Sequence, residues 1–186
     1  MPILDTTDQN LVLEYFARKG FNATQMVEAH TETTSLPDFV VRKGTSLVFY
    51  CDVVSSVREG GVDCTAERVT EAAARLHRVN PLHSMPNVVC VVNWDRYSNI
   101  QHLRPAIEGA HIIGNGCGLW SFRRYLMGGT KRPGGEIDML LWFNGIDPMS
   151  QPQICLNAES KHIERISVLI GIDPSDAPDC RPFLDM

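Results

Sequence analysis

The chain has 186 residues, 44% of them hydrophobic, and a formal net charge of −5. That length suits one domain with a sizeable core, and that apolar share excludes bulk disorder. No apolar run reaches the ~20 residues a membrane helix needs, and an acidic chain is a poor indiscriminate binder of nucleic acid, because phosphate contacts dominate such affinity.

The first ten residues are polar and acidic and carry neither a signal nor a transit pattern, so a cytoplasmic, intracellular location is expected. Leu11 to Lys19 has helical apolar spacing, with Asp8 ahead as a cap and Gly20 behind as a stop. Phe21 to Thr34 reads as a strand or as a helix followed by a loop. Asp38 to Lys43 and Leu47 to Val54 are β-rich runs around Gly44-Thr45-Ser46, which predicts a hairpin. Thr65 to Val79 is the clearest helix, with Thr65 as N-cap and Val69, Ala72, Ala73 and Leu76 on one face. Asn80-Pro81 ends it. Asn87 to Asn93 (NVVCVVN) is a continuous apolar run suited to a strand covered on both faces.

Downstream, Ile100 to Glu108 and Leu119 to Met127 are short helix candidates. Glu136 to Phe143 reads as a strand with Gln153 to Leu156 as its partner, and Asn157 to Ile170 as a helix capped by Asn157. The order hairpin, helix, buried strand predicts an α/β layer fold with a right-handed crossover. One α/β domain over 1–186 is expected, with a core at about 8–130 and a C-terminal hairpin and helix extension at about 131–186. The six cysteines (51, 64, 90, 117, 155, 180) form no CxxC pair and read as reduced thiols.

Two acidic constellations carry chemistry. In the first, the hairpin places Asp38 opposite Asp52 on one face, with Cβ atoms ~5 Å apart. Carboxylates that close repel unless a cation lies between them or one is protonated. Mg²⁺ or Mn²⁺ suits such a pair, completed by waters and a phosphate oxygen. The alternative is a pair of surface or structural aspartates.

Pro37-Asp38, a 13-residue spacer and Asp52-Val53-Val54 resemble the PD-(D/E)XK, restriction-endonuclease-like superfamily. The likeness extends over about residues 8–95, through a preceding helix, the hairpin, a helix and a buried strand. It implies a mixed central sheet flanked by helices, a metal held by Asp38 and Asp52, and nuclease activity on DNA or RNA. The family's lysine position is occupied by Val54. Some relatives take the basic residue from the following helix, which here supplies Arg68, Arg75 and Arg78. Relatives also add an upstream acid or histidine, for which Glu14 and His30 are the candidates.

The second constellation is Asp138, followed across a loop by Glu159 and Lys161. On strands, Glu159 and Lys161 would share a face, so Asp138 and Glu159 would bind metal with Lys161 beside the nucleophile. On a helix they would point ~200° apart and share nothing.

Three further stretches carry polar, glycine-rich or aromatic residues. Asn93-Trp94-Asp95 ends the buried strand in groups that face a cleft or form a turn. Gly114 to Gly118 reads as a turn. Trp120-Ser121-Phe122-Arg123-Arg124 reads as core aromatics with solvated arginines, or as a base-stacking segment. Two functions follow. One is a metal-dependent nuclease; the other is a degenerate relative that binds nucleic acid or a protein partner without cutting. No membrane partner is expected.

Overall fold

The computed structural model describes residues 6–26, 36–56, 58–59, 62–63, 65–95, 111–112, 117–120, 137–157 and 160–171. Helix α1 (Thr6–Arg18) buries Leu11, Val12, Tyr15 and Phe16, one stripe at helical spacing. It stops where Gly20 takes φ 77°, letting Phe21 N donate to Phe16 O at 2.9 Å. Only a residue without Cβ adopts that φ freely.

Strands β1 (Asn22–Gln25), β2 (Phe39–Lys43) and β3 (Ser46–Ser56) form an antiparallel meander. The β2–β3 loop is shorter than expected. It is the two residues Gly44 and Thr45, with Gly44 at φ 61°, and Ser46 already pairs with Lys43. A bulge makes good the difference. Arg42 pairs with Leu47 but Val41 with Phe49, so Val48 is the extra residue on β3. Beyond the bulge Phe39 pairs with Cys51, which is the register expected for Asp38 and Asp52.

A short ribbon, β4 (Arg58–Glu59) with β5 (Val62–Asp63), leads to α2 (Thr65–Val79) and β6 (Asn87–Asn93). There follow β7 (His111–Ile112), β8 (Cys117–Trp120), β9 (Met139–Asn144), β10 (Gln153–Asn157) and α3 (Ile163–Ile170). One eight-stranded sheet results, ordered β1-β2-β3-β6-β9-β10-β8-β7. β3, β6 and β9 are mutually parallel at its centre, and β10 is antiparallel to β9 but parallel to β8. β9 and β10, from the segment expected to extend the core, lie in the interior of this sheet.

Strand alternation splits the core into two layers. Val88, Cys90 and Val92 of β6, with Met139, Leu141 and Phe143 of β9, pack towards α1 and α3. Val89, Val91, Leu140 and Trp142 pack towards α2. All seven residues of β6 are buried, which explains its unbroken apolar run. Cys51, Cys90 and Cys155 are free, buried thiols; the other three cysteine side chains lie outside the described ones.

Two local expectations are corrected. Leu119 and Trp120, read as the start of a helix, belong to β8, where they pair with Leu156 and Asn157. Ladder partners outweigh helical spacing in so short a segment. Cys117 and Gly118, read as turn, are in the same strand. Asn157 ends β10 and does not cap a helix. Its backbone N donates to Asp138 O and its Nδ2 to Ile137 O, both at 2.9 Å, and α3 begins only at Ile163. The Ile100–Glu108 candidate lies outside the described residues. No described helix is long and apolar enough to cross a membrane.

Candidate functional site

Asp38 immediately precedes β2, and Asp52 lies within β3, one residue past the Phe39–Cys51 pair. Continuing the ladder from Phe39 and Cys51 sets Asp38 opposite Asp52. Both are buried, Asp38 at 7% and Asp52 at 1% exposure. Asp38 is well supplied with donors: Gln9 Nε2 lies 2.7 Å from Oδ1, and the Val53 backbone N lies 2.7 Å from Oδ2. Asp52 has one cation. Arg75, from the α2 face turned to the sheet, places Nε 2.7 Å from Asp52 Oδ2.

Burial pushes the Asp52 carboxyl well above its usual range. Arg75 opposes that rise, and the neighbouring Asp38 adds to it. Burial and the neighbouring acid thus favour the neutral form of Asp52, and Arg75 the ionised one. A divalent cation held between the carboxyls would favour the ionised form of Asp52 instead.

Val54 is 4% exposed and packs with Val69, Ala72, Ala73 and Leu76 under α2. The position two residues after Asp52 is thus a core position, which explains an apolar residue there. Of the three arginines named on α2, Arg75 is the one the structure joins to Asp52.

Glu14 is exposed on α1, off the buried stripe, and His30 lies outside the described residues. The α1 residues that do reach the site are Gln9 and Asp8, both buried. Asp8 Oδ1 accepts from Trp94 Nε1 at 2.7 Å, and its Oδ2 accepts from the Ser55 hydroxyl. The sequence carried a signal for them. Asp8 and Gln9 continue, at helical spacing, the stripe of Leu11, Val12, Tyr15 and Phe16. Polar residues on an apolar stripe have a buried partner.

The second constellation is built differently. Asp138 precedes β9, level with Asn87 at the amino-terminal end of the parallel strands, and is 1% exposed. Its Oδ2 accepts from Asn87 N at 2.6 Å and faces His83 Nε2 at 2.6 Å; its Oδ1 accepts from the Ser160 hydroxyl. His83, at φ 48°, also stacks edge-on with His162, ring centroids 5.0 Å apart. Lys161 is exposed, and its amine points to Leu82 O at 3.4 Å. Glu159 lies outside the described residues. Asp138 thus pins the starts of β6 and β9 to the loop after α2 and to Ser160.

Polar side chains gather at the carboxyl ends of β3 and β6: Ser55, Ser56, Asn93 and Asp95, with Thr65 at the start of α2 bonded to Ser56. Clefts form at this edge of parallel sheets. Among the described residues, no three His, Cys, Asp or Glu side chains converge in a way that could hold a metal ion. A metal at Asp38 and Asp52 would draw its other ligands from main chain, water or substrate, as Mg²⁺ commonly does. Comparison with family models, curated proteins and solved structures found no match for the chain.

Proposed function

We propose that this chain is a divalent-metal-dependent nuclease of PD-(D/E)XK type, hydrolysing a phosphodiester of DNA or RNA. The observation that carries this reading is the register that sets Asp38, just before β2, opposite Asp52 of β3, with both carboxyls buried. The order α1, antiparallel β1–β3, α2 and a buried β6 parallel to β3 supports it, because the sequence resemblance implies that succession.

Asp38 and Asp52 would hold Mg²⁺ or Mn²⁺. A bound ion would polarise the phosphoryl group and lower the pKa of an attacking water. The ion would have to offset the burial that favours neutral Asp52. Arg75 keeps its charge at any physiological pH, so it can offset phosphoryl charge but cannot serve as a base. Gln9 and the Val53 N–H fix the orientation of Asp38.

One observation favours a second reading, a relative that binds nucleic acid or a protein partner and cuts nothing. Val54 is sealed in the core where the resemblance expects a lysine, so the missing charge is not restored by a small movement. The experiment is Mn²⁺ calorimetry on wild type and on Asp38→Ala/Asp52→Ala, beside cleavage assays on single-stranded and duplex DNA and RNA. Binding lost in the double variant together with metal-dependent cutting supports the nuclease. Binding without cutting supports the second reading. No binding at millimolar metal overturns the metal site. Lys161→Ala in the same assays tests Asp138, Glu159 and Lys161 as the alternative site.

A further inference from the structure

Asp8 and Gln9 are consecutive on α1 and hold different things. Gln9 holds Asp38. Asp8 holds the indole of Trp94 by its Nε1–H, at 2.7 Å. Behind that ring lies Gly145, tied to the same strand end by its N–H to Asn93 O at 2.8 Å. A Cβ at Gly145 would meet Trp94 Cδ2, Cε2 and Cε3 at 2.6, 2.8 and 2.8 Å. Those atoms surround the ring fusion, so the indole lies with one face against main chain. Glycine is what permits so close an approach.

The ring is therefore fixed at one edge and along one face. Trp94 nevertheless stays 42% exposed, which leaves its other face to solvent. An aromatic already immobilised loses little conformational freedom when something settles on it. Its position is equally constrained. Asn93 pairs with Ser56, so Trp94 stands just past the carboxyl ends of β3 and β6, further along the strands than Asp52, which pairs with Val89. Two consecutive residues of α1, Asp8 and Gln9, hold the ring and Asp38 respectively.

We infer that Trp94 is a stacking platform for an unpaired nucleobase of the strand that reaches the acidic pair. The inference rests on the nuclease reading for the identity of that strand. Three features fit it. The indole N–H is taken by Asp8, so the ring offers a π-face without hydrogen-bond readout and accepts any base. A duplex hides its base faces, so single strands are preferred. With 17 lysines and arginines against 22 aspartates and glutamates, the net charge of −5 lowers the affinity drawn from phosphates, and base contact carries a larger share.

The test measures binding of a fluorescent single-stranded oligonucleotide in EDTA, where no metal-dependent turnover occurs. The same length of abasic strand serves as the backbone control. Trp94→Phe keeps a ring and loses the donor to Asp8. Trp94→Gln keeps a donor and loses the ring. Stacking predicts that Trp94→Gln binds the oligonucleotide on the order of ten- to a hundredfold more weakly while Trp94→Phe stays near wild type. It also predicts that wild type binds the abasic strand more weakly by a similar factor. A purely structural Trp94 predicts the reverse order of the two variants.

Equal binding by Trp94→Gln and wild type, a greater loss in Trp94→Phe than in Trp94→Gln, or no preference over the abasic strand overturns the inference. So does a wild type that binds no oligonucleotide. Cleavage with Mn²⁺ is scored separately. Ring-dependent binding without cleavage keeps the platform and removes the nuclease; cleavage with ring-independent binding removes the platform alone.

Discussion

Arg75 Nε lies 2.7 Å from Asp52 Oδ2, so the basic group beside the acid pair comes from α2 while the strand position that could have supplied it is filled by Val54. A cation at that place has two opposed effects. It stabilises the ionised carboxylate, and it repels a second cation. Arg75→Ala should therefore strengthen Mn²⁺ binding in calorimetry. The same change should slow metal-dependent cleavage about 10²- to 10³-fold, the usual cost of removing a charge-stabilising group from a reacting centre. Arg75→Lys should recover part of the rate. Weaker metal binding together with unchanged cleavage would show that Arg75 only shields Asp52.

Tyr15 offers a reading of α1 docking that is independent of the site. Its ring packs edge-on against Phe143, centroids 5.3 Å apart, and burial, with Cys90 nearby, pushes its hydroxyl up to about 12 against the opposing Arg18. A folded pKa above the unfolded value means that the folded state keeps a proton the unfolded chain has lost. Stability is complete below about pH 10 and falls between about pH 10 and 12, by about 2 kcal/mol. Tyr15→Phe should flatten that part of the curve in urea melts, and an unchanged alkaline slope would mean that α1 is not seated as described.

The parts legible in the sequence are those set by local pattern. β6 and α2 follow directly from an unbroken apolar run and from a regular apolar face. The facing of Asp38 and Asp52 followed from hairpin arithmetic, although the turn is one residue shorter than read and the Val48 bulge restores the count. What escaped depends on partners distant in the chain. Asp8 lies 86 residues from Trp94 and Gln9 lies 29 from Asp38, and no window on the sequence joins them. Asp138, Glu159 and Lys161 include the lysine that Asp38 and Asp52 lack, yet the Asp138 carboxylate is committed to Asn87, His83 and Ser160. Text records residue types at a spacing and not which donors surround them.

Gly145→Ala tests the seat of Trp94 from behind. The new methyl would meet ring carbons at 2.6–2.8 Å, so the indole must leave its place. Overpacking of this kind costs about 1–3 kcal/mol. The ring's displacement should also break the Asp8 bond, visible as a downfield-to-upfield change of the Trp94 indole N–H resonance and as loss of oligonucleotide affinity. Retained affinity with a shifted resonance would separate the ring's seat from its use.

The two acidic constellations should be told apart by the sign of a stability change. Asp138 accepts from Asn87 N and Ser160 and faces His83, so Asp138→Ala strands buried donors and should cost about 3–5 kcal/mol. Asp52 is the reverse case, a buried acid whose proton affinity is raised by burial and by a second acid. Its folded pKa lies above the unfolded value, so its contribution to stability is full in acid and is lost as pH rises through the folded pKa. Asp52→Asn removes that loss and keeps an acceptor for Arg75. Without metal it should raise stability at neutral pH by about 1 kcal/mol and flatten the slope above about pH 4. Millimolar Mn²⁺ should stabilise wild type and leave Asp52→Asn unmoved. Urea midpoints for the three proteins with and without metal give the check, and an Asp52→Asn variant less stable than wild type without metal would make Asp52 a structural acid like Asp138.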